Sequence, residues 1–198
     1  MRALLVPVKS FAEAKRRLES ALSPAARADL ARRLAAIVLA AAGDLDKFVA
    51  CDDGQVADWA IGQGAFVLWT PGLGLSGAVN TGVAHLSTVG YDTVVVAHAD
   101  LPLVTTFENF AHDGAITLAP DWRDDGTNVA AVPAAAGFRF TYGPASFTRH
   151  QAEAARLGLP LLVVRDERLG NDVDLPSDLH LVSHLLPRHV AGVVAETE

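Results

Sequence analysis

Residues 93–102 read TVVVAHADLP, and this stretch decides the fold class. Its three consecutive valines form a short apolar run of β-branched residues, which is typical of a buried strand. His98 and Asp100 follow the run directly. Ligands of open α/β sheets bind beyond the carboxyl ends of the strands. The stretch therefore predicts a strand of such a sheet, with candidate site residues at its end.

The chain on both sides of this strand alternates between further strands and helices. Strands are predicted at residues 3–8, 47–51, 65–69, 115–119, 128–132 and 161–164, and helices at 24–42, 53–61, 76–87, 146–157 and 176–186. This alternation predicts an α/β fold with a largely parallel sheet. The crowded strands after residue 115 predict one antiparallel insertion, and AAAG at residues 134–137 predicts a hairpin turn. We expect a single domain over residues 1–198.

Composition excludes several classes of protein. The 16 basic and 23 acidic residues give a net charge of −7, which is unfavourable for non-specific nucleic-acid binding. Cys51 is the sole cysteine, so a disulfide within the chain is excluded. No apolar run approaches the ~18 residues that cross a bilayer, and the N-terminus does not resemble a signal peptide. We therefore expect a cytoplasmic protein without nucleic-acid or membrane partners.

Charged and glycine-rich segments follow the other predicted strands. These are Lys9 with Lys15, Arg16 and Arg17, the segment PGLGLSG at 71–77, the segment 121–127, and Asp172 with Asp174. A nucleoside triphosphate with Mg²⁺ needs such a set, since Mg²⁺ prefers carboxylates plus phosphate oxygens. Each feature also has an ordinary structural interpretation: the acids as caps or turns, the basic residues as a solvated face, and His98 as a hydrogen-bonded structural histidine.

The glycine-rich segment allows a second interpretation. Gly72, Gly74 and Gly77 match the spacing of a dinucleotide-binding fingerprint between a strand and a helix. The segment follows the third predicted strand, which we expect to be an inner one, whereas the fingerprint follows the first. Asp92 lies near the distance of the partnering acid but precedes a strand. A nicotinamide-dependent oxidoreductase is therefore the alternative, of another enzyme class.

Six short motifs together resemble the 2-phospho-L-lactate or phosphoenolpyruvate guanylyltransferases of coenzyme F-420 biosynthesis. They occur in the order of that family, from residue 4 to about residue 180. They are PVK at 7–9 followed by AKRRL at 14–18, HADLPL at 98–103, DGTN at 125–128, YGPASF at 142–147 with His150, and DVDLPSDL at 172–179. The resemblance implies a Rossmann-like nucleotidyltransferase fold. It also implies transfer of GMP from GTP to a small phosphorylated carboxylic acid, with release of pyrophosphate.

The resemblance also implies roles for individual residues. Lys15, Arg17 and Asp100 are expected to be catalytic, and Asp100, Asp172 and Asp174 to hold Mg²⁺. Thr127, Gly143 and Ser146 are expected to bind the acceptor. The nucleotide is expected to contact Lys9, Gly74, Ser76, Gly77 and Asn80. Ser76 stands where the family usually has asparagine, so another base specificity remains an alternative.

The expected partners are GTP and the acceptor acid, with a homodimer and hand-over of the product to a downstream transferase as further expectations. The sequence leaves open which acid is the acceptor, among 2-phospho-L-lactate, phosphoenolpyruvate and 3-phosphoglycerate.

Overall fold

The computed structural model describes residues 1–186, which form one seven-stranded sheet with helices on both faces. The strands are β1 (Arg2–Pro7), β2 (Asp46–Cys51), β3 (Phe66–Trp69), β4 (Thr93–Ala97), β5 (Ile116–Pro120), β6 (Thr127–Pro133) and β7 (Leu161–Val163). Their order across the sheet is β3-β2-β1-β4-β6-β5-β7. The predicted α/β class is thus confirmed. The predicted domain extends over residues 187–198, which lie outside the described residues.

Within residues 1–186, five α-helices connect or flank these strands: α1 (Pro24–Ala40), α2 (Gly54–Gly62), α3 (Gly74–Thr88), α4 (Ser146–Leu157) and α5 (Glu167–Gly170). Local chemistry explains where two of them begin. The Ser23 side chain accepts a hydrogen bond from the backbone N–H of Ala26, and Pro24 occupies the first turn of α1. Asp53 caps α2 in the same way by accepting from the N–H of Val56. No described helix is long and apolar enough to cross a membrane.

Strand β6 is antiparallel to both of its neighbours, whereas every other pairing in the described sheet is parallel. This is the predicted antiparallel insertion. Because β6 is reversed, its first residue, Thr127, lies at the edge where the other six strands end. We call this the carboxyl edge. The reversal therefore brings the DGTN motif to the same edge as Asp100.

The alternating residues of β1 separate two apolar layers. Leu4 and Val6 pack on one face with the helices α1 and α2, while Leu5 packs on the other face with α3 and α4. On that second face α3 approaches the sheet closely at Gly82. A Cβ atom added at Gly82 would lie 2.8 Å from Cδ2 of Leu5, so the absence of a side chain permits the contact. These layers hold the carboxyl edge in place.

Two local predictions were wrong, the turn at 134–137 and the inner position of β3, and two predicted helices are present with a different start or helix type. Residues 134–137 do not form a hairpin turn: a 3₁₀ helix, Ala134–Ala136, follows β6, and the hairpin lies between β5 and β6. Helix α3 begins at Gly74, two residues before the predicted start at residue 76, so the glycine-rich loop is shorter than predicted. Strand β3 is an edge strand, not an inner one. The final helix is a 3₁₀ helix, Pro176–Leu185, with a kink at Val182.

Candidate active site

Two adjoining cavities open at the carboxyl edge of the sheet. The first, of about 570 Å³, is lined by the sequence-predicted residues Lys9, Lys15, Arg17, Asp100, Asp172 and Asp174, together with His98. The second, of about 290 Å³, shares Pro7, Val8, Lys9, Glu13 and Leu75 with the first. It extends along the ends of β2 and β3. The structure thus gathers the predicted basic and acidic residues in one place.

Lys15 connects two distant parts of the chain at the floor of the first cavity. Its Nζ donates to Oδ2 of Asp100 at 2.5 Å and to the carbonyl oxygen of Val173 at 2.6 Å. The Lys15 side chain is only 10% exposed. Its backbone adopts the left-handed conformation, with φ of 54°, which is costly for a residue with a side chain. Such strain persists where the surroundings impose it, and it is concentrated at functional sites.

Two buried polar atoms in this cavity have no hydrogen-bond partner among the described residues: Oδ1 of Asp100 and Nε2 of His98. Burial would raise the pKa of Asp100, but the charge and the hydrogen bond of the Lys15 ammonium lower it overall. Burial lowers the pKa of His98. The site therefore holds an ionised carboxylate with a free oxygen beside a neutral imidazole. Both atoms lie unpaired among the residues that line this cavity.

The other two aspartates lie on the segment after α5. Asp174 forms an ion pair with Arg17, whereas Asp172 faces the other carboxylates of the cavity. Burial, together with the negative charge of Asp100, raises the pKa of Asp172 to about 6. Within residues 1–186 no three His, Cys, Asp or Glu side chains are close enough together to form a metal centre. The proximity of hard carboxylate oxygens and the unpaired Asp100 oxygen nevertheless suits a divalent cation. Metal binding remains a prediction.

The three predicted acceptor-binding residues lie together but outside the lining of these two cavities. The backbone N–H of Thr127 donates to Oγ of Ser146 at 3.1 Å, and the Ser146 N–H donates to the carbonyl oxygen of Gly143. Gly143 has φ of 113°, which favours glycine. Both hydroxyl-bearing residues are buried, and their hydroxyls bond within the protein. Their acceptor-binding role remains a prediction.

His150 links this group to residues 139–142, a contact that sequence reasoning missed. It is fully buried, with Nδ1 at 2.9 Å from Oγ1 of Thr127. Its Nε2 accepts a hydrogen bond from the backbone N–H of Thr141, also at 2.9 Å. Burial lowers the pKa of His150 to about 4, and Arg149 contributes. The signal in the sequence was its position one turn after Ser146 on the same face of α4.

Residues 139–142, which we call the strap, run between α3 and α4 without pairing in the sheet. Four successive backbone N–H groups of the strap donate alternately to side chains of α4 and of α3. The acceptors are Glu153, Asn80, His150 and Ser76. The Nδ2 of Asn80 also donates to the carbonyl oxygen of Phe140. Ser76 and Asn80, predicted to contact the nucleotide, bond to the strap, while Gly74 lines the second cavity; their contact with a nucleotide remains a prediction.

Comparison with known proteins identifies the family. The family model described as "Guanylyl transferase CofC like" matches residues 1–185. The chain belongs to the CofC-like guanylyltransferase family. It is 38% identical over 184 residues to the phosphoenolpyruvate guanylyltransferase of Sphaerobacter thermophilus, covering 88% of this chain and 89% of that protein. It is 36% identical to the 2-phospho-L-lactate guanylyltransferase of Halorubrum lacusprofundi, covering 83% and 76%.

Solved structures agree on the fold. A nucleotidyl transferase from Methanothermobacter thermautotroptrophicus superposes with a TM-score of 0.63 at 15% identity, covering 93% of this chain and 97% of that one. The predicted family resemblance and the nucleotidyltransferase fold are confirmed. CofC-like membership excludes the oxidoreductase alternative, and the fold agrees, because the glycine-rich segment follows the edge strand β3 and not an inner first strand.

Proposed function

We propose that this protein transfers GMP from GTP to a small phosphorylated carboxylic acid and releases pyrophosphate. The first cavity carries the proposal, because it places Lys15 and Arg17 beside three aspartates at the carboxyl edge. The names of the relatives supply the candidate acceptors. Phosphoenolpyruvate ranks first, since the Sphaerobacter relative is named for it, and 2-phospho-L-lactate follows.

The proposed reaction is a substitution at the α-phosphorus of GTP. A phosphate oxygen of the acceptor attacks, a new P–O bond forms, and the bond to the pyrophosphate oxygen breaks. The acceptor phosphate is already ionised at neutral pH, so no residue needs to remove a proton. Catalysis then depends on holding the two anions in line and on neutralising their charge. Lys15 and Arg17 supply positive charge at the place where the triphosphate would lie.

Asp100, with Asp172 near it, would hold Mg²⁺, which when bound supplies positive charge to phosphate oxygens, and the phosphates would complete the ligand set. The fit rests on Asp100, whose Oδ1 is buried without a partner, and on the crowding that raises the pKa of Asp172. A cation between these carboxylates would offset their mutual repulsion.

The proposal also has a cellular context, which rests on the family. We propose that the reaction serves coenzyme F-420 biosynthesis in the cytoplasm, and that the product passes to a downstream transferase. We further propose a homodimer. Light scattering on the purified protein tests the dimer, and a pull-down with candidate transferases tests the hand-over.

A product assay tests the proposed reaction. Purified protein is incubated with GTP, Mg²⁺ and one candidate acceptor at a time, and the products are identified by mass spectrometry. We expect a guanosine-diphospho-linked acid and pyrophosphate with at least one acceptor. Asp100→Asn should abolish product formation, since it removes a charge from the centre of the cavity. Asp113→Asn is the control, because Asp113 is exposed and pairs only with Arg2 among the described residues. Absence of product with all three acceptors would contradict the proposal.

A further inference from the structure

The second cavity is the natural place for the base of the nucleotide. It adjoins the first cavity, where the proposed function places the triphosphate, and the two share Lys9 and Leu75. It runs along the ends of β2 and β3, and its other wall is the start of α3. A nucleotide with its phosphates in the first cavity would therefore extend its base into the second.

The chemistry of guanine defines what such a cavity must offer. Guanine presents two neighbouring donors, N1–H and the N2 amino group, on one edge. Adenine presents an acceptor at N1 instead. A carboxylate accepts two parallel N–H bonds, so it matches guanine, and it repels the N1 lone pair of adenine. A selective guanine site therefore calls for a carboxylate that no other group engages.

The two polar side chains of α3 that the sequence assigned to the nucleotide do not meet this need. Ser76 and Asn80 bond to the strap, and both polar atoms of the Asn80 amide are used there. Neither residue lines the second cavity. The carboxylates that line the second cavity are therefore the candidates for recognition of the base.

Two carboxylate residues line the second cavity, Glu13 and Asp52. Glu13 also lines the first cavity and pairs with Arg16 at 3.6 Å. Asp52 lines the second cavity alone and has no hydrogen bond or ion pair from its side chain within the described part of the chain. Its neighbour Asp53 is engaged as the cap of α2.

We propose that Asp52 selects guanine by accepting hydrogen bonds from N1–H and the N2 amino group. Asp52 follows β2 directly at the carboxyl edge, is exposed, and lines the second cavity, whereas Asp53 caps α2. This inference rests on the proposed function, because it assumes that a nucleoside triphosphate is the substrate.

The test is a change of nucleotide preference by Asp52→Asn. The asparagine amide offers one acceptor and one donor, which match N1–H and the C2 carbonyl of xanthine. We expect kcat/KM for GTP to fall by about tenfold or more, as for a lost hydrogen bond to a charged group, and kcat/KM for XTP to rise. The GTP-to-XTP ratio should invert. Asp58→Asn is the matched control, because Asp58 is exposed on α2 outside both cavities, and its ratio should equal that of the wild type.

A second measurement needs no variant. ITP lacks the N2 amino group, so the wild type should use it about tenfold or more less efficiently than GTP. Equal use of ITP and GTP, or an unchanged GTP-to-XTP ratio in Asp52→Asn, would overturn the assignment while leaving the proposed function intact. An inverted ratio in Glu13→Gln in place of Asp52→Asn would move the role to Glu13. A wild type that turns over none of the nucleotides would instead refute the proposed function.

Discussion

Replacing His150 should remove a large part of the pH dependence of stability. The backbone N–H of Thr141 can only donate, so Nε2 of His150 must be its unprotonated nitrogen. The ring is then neutral, with its hydrogen on Nδ1 and donated to Oγ1 of Thr127. Protonation would place an N–H on Nε2, opposite the N–H of Thr141. The folded state therefore resists protonation of this histidine.

The size of the effect follows from the two pKa values. Burial, together with Arg149, lowers the pKa of folded His150 from 6.5 to about 4. Between these values the unfolded chain binds more protons than the folded one, so stability falls as the pH falls. The contribution is complete above pH 6.5 and is lost progressively down to about pH 4. The full difference corresponds to about 3 kcal/mol, of which about 2 kcal/mol is lost by pH 5.

Urea denaturation of the wild type and His150→Gln at pH 7.5 and pH 5 measures this loss. We expect the free energy of unfolding of the wild type to fall by about 2 kcal/mol more than that of the variant. Burial of His98 lowers its pKa as well, and this contribution is present in both proteins. His85→Gln is the control, since His85 is exposed at the end of α3. Equal losses in the wild type and His150→Gln would refute the reasoning.

Two further predictions concern packing and the acceptor. Gly82→Ala should be less stable in thermal denaturation than Gly62→Ala by about 1 kcal/mol or more. Both substitutions increase helix propensity, but only the new methyl group at residue 82 must displace the Leu5 side chain. Equal melting temperatures of the two variants would contradict the close approach of α3 to the sheet. Thr127→Val leaves the N–H of His150 without an acceptor, so unfolding free energy should fall by about 1–3 kcal/mol. If Thr127 also binds the acceptor acid, steady-state kinetics of Thr127→Val should show a raised KM for that acid and an unchanged KM for GTP. A parallel rise of both KM values would show that the two substrate sites are not separable.

Most of the secondary structure was predictable because its signals are local. The valines of β4, the Ser23-Pro24 start of α1 and the Asp53 cap of α2 act through neighbours within four residues. The wrong predictions share a cause. The turn at 134–137 and the inner position of β3 depend on which strands pair, and pairing is not a local property.

The sequence predicted most residues of the candidate site but few of the contacts that these residues make. Six predicted residues line the first cavity, because strand ends of a mostly parallel sheet meet at one edge. The engagement of Ser76 and Asn80 by the strap was not predictable, since the strap approaches α3 from 60 or more residues away. Asp52 belongs to none of the sequence motifs, and only the lining of the second cavity points to it.

The sequence by itself determined the fold class, the order of the motifs and the family, because periodicity, capping and motif spacing depend on residues that are close together in the chain. Tertiary structure alone decided the reversal of β6, which brings Thr127 to the carboxyl edge. It also decided the contact of Lys15 with Asp100, 85 residues apart, and the burial of His150 between Thr127 and Thr141. These contacts form only when the two helical layers close on the sheet and exclude water, so no local pattern in the chain contains them.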